Sequence, residues 1–359
     1  MRIVIAFICF LSISGNLFAG DGEYDVAKIP AALKKNAHVV KRSEEIVFEL
    51  LKVGEGRLYK KYAITILDEQ GDGQAQFVDF YNKFYDIRSI DGTLYDASGK
   101  KIRSLKKGEI RDVSGGGGDA MVDDNRFKVH NFYNKLYPYT VEYEVEVKQD
   151  GTLFFPDWSP VEGENYSVQQ SRFSVVCPAN YKLRYKPINT TLQPSVAEKG
   201  NRKTYTWELT NISAIEEEYA SRSWSVLVPK VIIGASDFKM ENYAGNMETW
   251  QDFGKFVYDL KKGRDQLPEN IKATVHQLTN GLSDPKQKIQ KLYEFMQANT
   301  RYVGIQLGIG GWQPFDATYV GTKRYGDCKA LSNYMYSLLK EAGINSFYTL
   351  IRSDEDDKD

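Results

Sequence analysis

Cysteine and histidine are scarce in this chain: three of each in 359 residues, at positions 9, 177 and 328 and at positions 38, 130 and 276. So few thiols, one of them inside an N-terminal apolar run, do not make a disulfide framework. They do not fall at ligand spacing with the histidines either, so no metal site is expected, and no cofactor motif is present. Gly115-Gly116-Gly117-Gly118 lacks a following Gly-Lys-Ser/Thr and reads as a loop, not a phosphate cradle. Lys plus Arg total 47 against 48 for Asp plus Glu, with no polybasic tract, which argues against a nucleic-acid partner. Beyond the N-terminus no stretch approaches the roughly 20 apolar residues that span a bilayer, so no transmembrane helix is expected in the mature chain.

What the N-terminus does have is Met1-Arg2, an apolar run from Ile3 to Phe10, and Leu17-Phe18-Ala19 after small and polar residues. This pattern predicts a signal peptide over residues 1–19, cut after Ala19, and hence an exported protein. A membrane anchor is the weaker alternative, because Ser12, Ser14, Gly15 and Asn16 interrupt the run. Two cysteines would remain. They could pair, although nothing in the sequence requires it; Cys177, beside Val175, Val176 and Pro178, reads more simply as a buried strand residue, and Cys328 must stay free if it is a nucleophile.

After a lead-in over 20–42, residues 43–210 alternate apolar and polar between turn signals such as Gly71-Asp72-Gly73, Asp150-Gly151 and Lys199-Gly200-Asn201. Tyr139 to Val147 alternates most strictly. The pattern predicts an antiparallel, β-sandwich-like domain. Residues 211–240, with Glu216-Glu217-Glu218 and Pro229, read as a crossing segment. From 241 onward the period turns helical: Thr249 to Lys261, Ile271 to Asn280, and Asp284-Pro285 to Asn299, the last with Asp284 as cap and Pro285 at the first helical position. Asn345 to Ile351 reads as a strand. The fold class is therefore α+β, with the strands first and the helices after.

Tyr325-Gly326-Asp327-Cys328-Lys329 leads into an apolar-periodic stretch that stops at Gly343. Asp327 is the expected N-cap, which puts Cys328 in the first turn among unpaired N–H groups at the positive end of the helix dipole. A helix terminus worth ~0.3–1 kcal/mol moves a thiol's ionisation by less than one pH unit, so an activated cysteine needs a cationic or basic partner as well. No histidine follows Cys328. Asp327 suits a cap better than a catalytic acid, and Lys329 is an ordinary first-turn residue.

Arg301-Tyr302-Val303-Gly304-Ile305, Gly310-Gly311-Trp312-Gln313-Pro314 and Tyr325-Gly326-Asp327-Cys328-Lys329 together resemble the transglutaminase-like superfamily in its exported bacterial branch. The preceding strands resemble a domain of unknown function found ahead of such modules in exported proteins of Gram-negative bacteria. The resemblance implies a papain-like α+β domain over 241–359, location in the periplasm or at the cell surface, and a cysteine nucleophile at Cys328. In such modules a histidine and an aspartate on later strands complete the site. These have no counterpart here, so the domain is expected to be truncated after its first core strand and the site incomplete. Asp354, Asp356, Asp357 and Asp359 read as a solvated acidic tail.

An oxyanion would need donors from the Cys328 backbone and the upstream loop, where Trp312 and Gln313 are the candidates. His38, His130 and His276 have no evident role. Phe154-Phe155-Pro156-Asp157-Trp158 reads as an exposed-looking aromatic cluster able to stack on a sugar or a partner protein, although such faces more often fill a core or a domain interface. Two functions follow. One is cysteine-dependent acyl transfer on a peptide, protein or other cell-envelope substrate, as protease, amidase or crosslinker, lacking its histidine here. The other is a non-catalytic scaffold that binds glycan or protein through the β-rich domain.

Overall fold

Alternation along Tyr139–Asp150 decides the architecture: Val141, Tyr143, Val145 and Val147 are buried, while Glu142, Glu144 and Glu146 lie on the other side of the strand. A period of two with one apolar face requires a sheet covered on that face. The computed structural model describes residues 22–115 and 120–351; the expected signal peptide and acidic tail lie outside them.

A short helix α1 (Ala31–Lys34) precedes strands β1 (Val39–Lys52), β2 (Glu55–Ile66), β3 (Phe77–Tyr81), β4 (Tyr85–Tyr95), β5 (Lys101–Ser104), β6 (Arg111–Ser114), β7 (Ala120–Asp123), β8 (Arg126–His130) and β9 (Tyr139–Asp150). Then come β10 (Tyr166–Pro178), β11 (Arg184–Ile188), β12 (Ser195–Lys199), β13 (Arg202–Ile212), β14 (Lys230–Gly234), β15 (Asp237–Met240) and β16 (Tyr243–Asn246). Eight strands form one sheet in the order β12-β13-β10-β1-β2-β9-β4-β5. It is antiparallel except for β1 beside β10, a parallel pair. Two small sheets, β3-β8-β6 and β11-β14, cover it. Phe77 and Phe132 pack on Val141 and Tyr143 at one end, and Val231 and Ile233 pack with Phe48, Phe173 and Trp207 at the other. The sandwich is thus one large sheet under two small ones. On its opposite face Tyr24 packs with Ala63 and Tyr95, and Ile29 and Leu33 with Val40.

Several boundaries differ from those expected. The sheet starts at Val39, not 43, because β1 pairs with β2 and β10 from its first residue. Residues 211–240 are not merely a crossing: β13 runs to Ile212, and β14 returns to pair with β11, burying Val231. The cluster around residue 155 is not an exposed face. Phe155 and Trp158 are buried, with Trp158 Nε1 donating to Ser171 Oγ at 2.8 Å, and of the three rings Phe154 alone stays exposed.

Helix α2 (Trp250–Lys261) starts at Thr249, whose hydroxyl accepts the Asp252 N–H at 3.1 Å. Its Phe256 and Leu260 lie in the core of the β-domain, so the two domains share this helix and no clean boundary falls at 241. A separate helical core follows, built by α3 (Glu269–Thr279), α4 (Pro285–Asn299), α5 (Ala317–Lys323) and α6 (Cys328–Glu341) around Val275, Leu292, Val320, Tyr334 and Leu338. Between α4 and α6 run three very short strands, β17 (Arg301–Tyr302), β18 (Gly304–Gln306) and β19 (Tyr325–Gly326). β18 lies parallel to β7, tying the helical part to the β-domain.

The expected strand at Asn345–Ile351 does not form. A strand needs a ladder partner, and no described strand pairs with this segment.

Candidate functional site

Helix α6 is fixed at both ends. Asp327 Oδ1 accepts the Ala330 N–H at 2.9 Å, and its other oxygen takes the Lys329 ammonium. At the far end Gly343 adopts φ +73°, with Ile344 N–H bonded to Leu339 O at 2.8 Å and Gly343 N–H to Lys340 O at 3.1 Å, a Schellman closure. Ala330, Tyr334, Ser337 and Leu338 form the buried face.

The approach to the helix is equally constrained. Arg301 and Tyr302 of β17 pair in parallel with Tyr325 and Gly326 of β19, and Val303 N–H bonds to Gly326 O at 3.0 Å. A Cβ on Gly326 would lie 2.8 Å from the Ala330 Cβ, so glycine lets the chain pass this close to its own helix. Asn333 holds the middle of α6, donating through Nδ2 to the carbonyls of Arg264 at 2.8 Å and Phe315 at 3.2 Å, while its Oδ1 is buried without a protein partner.

Cys328 therefore occupies the first helical position and is exposed. It and Lys329 carry main-chain N–H groups that have no intrahelical acceptor. Lys329 is committed to Asp327, so its charge is largely neutralised beside the sulfur. Tyr348 approaches from the segment after α6; burial first, then the charges of Cys328 and Asp327, push its phenol up to about 12. Cys177 is buried in β10 and unbonded to Cys328.

The three histidines lie elsewhere. His38 pairs with Asp68 at 2.9 Å in the β-domain. His130 is buried, with Nδ1 2.8 Å from the Tyr143 hydroxyl. His276 sits 2.8 Å from Glu341, at the wrong end of α6. Thirteen residues at about 1.5 Å each put that end roughly 20 Å from Cys328 along the axis. Trp312 and Gln313 face the domain junction. The Trp312 ring lies 5.6 Å from that of Phe154 and 6.4 Å from that of Phe253. Gln313 Nε2 donates to the Tyr243 hydroxyl at 2.6 Å and to Leu260 O at 3.1 Å, which uses both amide hydrogens and leaves none for an oxyanion.

Sequence reasoning missed Asn333, Tyr348 and Lys261. Asn333 had a signal, a polar residue on the apolar stripe of α6; the other two had none, since only the tertiary fold brings them to this helix. Among the described residues, no cluster of His, Cys, Asp and Glu is placed to hold a metal ion, and no helix is long and apolar enough to cross a membrane.

Residues 52–216 match a domain of unknown function, DUF3857, and residues 272–352 match the transglutaminase-like superfamily. The helical part from residue 272 onward is thus similar to transglutaminase-like modules. In fold the chain is similar to a candidate protease from Parabacteroides distasonis, at TM-score 0.62 and 14% identity over 85% of this chain. The chain spans 59% of that structure's length. A candidate nutrient-binding protein from Legionella pneumophila (TM-score 0.29, 10% identity, 74% of this chain and 86% of that one) is far less alike. So is an M1 zinc metallopeptidase from Deinococcus radiodurans (0.28, 9%, 69% and 55%). No curated protein matches the chain.

Proposed function

We propose that this chain carries the thiol half of a cysteine-dependent acyl-transfer site, with Cys328 as nucleophile toward peptide or side-chain amides of an exported, cell-envelope substrate. The observation that carries the reading is the exposed Cys328 sulfur at the first position of α6, inside a transglutaminase-like module. The Met1–Ala19 pattern supports export.

The thiolate adds to the amide carbonyl carbon, the free N–H groups at the α6 terminus take the developing oxyanion, and the C–N bond breaks as the amine leaves with a proton. Water then cleaves the thioester and restores the thiol, or an amine takes the acyl group and forms a new amide. The proton transfers call for a general base. No histidine among the described residues stands near the sulfur, so in this chain the nucleophile works without its own imidazole. Slow acylation and poor turnover follow.

The scaffold alternative draws support from the lack of a histidine near the sulfur among the described residues, but of the aromatic rings offered for binding, Phe155 and Trp158 are buried and Phe154 alone is exposed. Treatment with an activated ester followed by peptide mapping tests the reading. A single acyl group on Cys328, with Cys177 untouched, is expected. Acylation spread over lysines with Cys328 unmodified would overturn it.

A further inference from the structure

A cleft of about 480 Å³ runs beside α6, between α2 and the segment 345–350. Its walls are aromatic and open to solvent: Trp250 is 86% exposed and Tyr258 58%. Lys261 lines it although more than nine-tenths of the residue is buried. The ammonium lies 3.5 Å from the Tyr336 ring centroid and 5.9 Å from that of Tyr348. It makes no hydrogen bond or ion pair to any described residue. Asp265, whose charge acts on Lys261, pairs with Lys340 at 2.7 Å. Ring faces attract a cation but satisfy none of its three N–H donors.

A largely buried lysine whose ammonium lines an aromatic cleft without an acceptor among the described residues is complementary to an anion carried by an otherwise apolar chain. The geometry points to an acidic peptide as the occupant of this cleft, with a side-chain or terminal carboxylate on Lys261 and flanking residues against Trp250 and Tyr258. This deepens the acyl-transfer reading and rests on Cys328 being its nucleophile. Tyr336 and Cys328 share α6, eight residues or about 12 Å apart along the axis. An extended peptide covers that distance in three to four residues at ~3.3 Å each. The carboxylate then lies three to four residues from the carbonyl that Cys328 attacks.

Two measurements on the full chain separate the cleft from the thiol. Binding of an unreactive peptide with one glutamate flanked by apolar residues is followed by tryptophan fluorescence. Labelling of Cys328 is followed by mass spectrometry, using the same peptide carrying a chloroacetyl group three or four residues from the glutamate. The glutamate peptide is expected to bind roughly tenfold more tightly than its glutamine twin. That preference should disappear in Lys261→Gln, return in Lys261→Arg and survive in Lys255→Gln, whose residue lies on the same helix paired with Asp259. Labelling should show the same preference. Equal binding of the two peptides to the unaltered chain, or a preference untouched by Lys261→Gln, overturns the carboxylate site whatever the thiol does. A Lys261-dependent binding preference with no preferential labelling of Cys328 leaves the cleft standing as an anion site and removes its link to acyl transfer.

Discussion

Asp327 accepts the backbone N–H of Ala330 at 2.9 Å, closing the first turn of α6 one residue ahead of the exposed thiol. The carboxylate is buried and its second oxygen holds Lys329, so a single side chain sets both the start of the helix and the charge beside the sulfur. Replacing a cap of this kind with alanine costs about 0.5–2 kcal/mol. Asp327→Ala is expected at the upper end of that range, because Lys329 also loses its partner. Asp327→Asn keeps an acceptor for the Ala330 N–H and should lose less. Urea denaturation of the three proteins side by side checks the order.

Gly326 is the second point of constraint. Alanine there would push its Cβ to 2.8 Å from the Ala330 Cβ and 3.4 Å from a Val320 methyl. Overpacking of this kind costs typically 1–3 kcal/mol. Gly326→Ala should lower the melting temperature and slow the labelling of Cys328, as the helix start shifts away from β17. Unchanged stability would show that the contact relaxes freely.

His130 gives the β-domain a pH response of known sign. Burial is the largest influence and lowers its pKa from the usual 6.5; Glu109 opposes this and Arg103 adds to it, while the Tyr143 hydroxyl holds Nδ1. The folded imidazole therefore stays neutral where the unfolded one is already charged. Its contribution is present above the unfolded value and is lost as pH falls through 6.5 toward the folded value. Urea midpoints at about pH 7.5 and about pH 5.5 should differ more in the unaltered chain than in His130→Gln, which cannot titrate.

Much of this was legible because local chemistry and tertiary structure agree. Asp327, Gly343, Thr249 and the Asp284-Pro285 pair mark helix ends through their own backbone preferences, and those ends fall where expected. Period-two alternation located β9 for the same reason. What failed depended on partners distant in sequence. Asn345–Ile351 carries the aromatic and β-branched residues of a strand, but no described strand pairs with it. Phe155 and Trp158 lie between strands in an exposed-looking aromatic cluster, yet the β14 backbone pairs with that loop and both rings are buried in the core. Gln313 offered two amide hydrogens, and nothing near it in sequence indicated that Tyr243 and Leu260 would take them. Lys261 ended an amphipathic helix like any solvated lysine, until the fold closed two tyrosine rings over it.

The central claim is a nucleophile at Cys328 working without an imidazole of its own, and chemical rescue tests it most directly. Turnover of an activated ester is followed with and without added imidazole, and the same reactions with Cys328→Ala are subtracted. The acyl-Cys328 adduct should accumulate in the unaltered chain, and turnover should rise with imidazole concentration. Rapid multiple turnover that imidazole does not change would contradict the account, because it would mean that the site already holds a base.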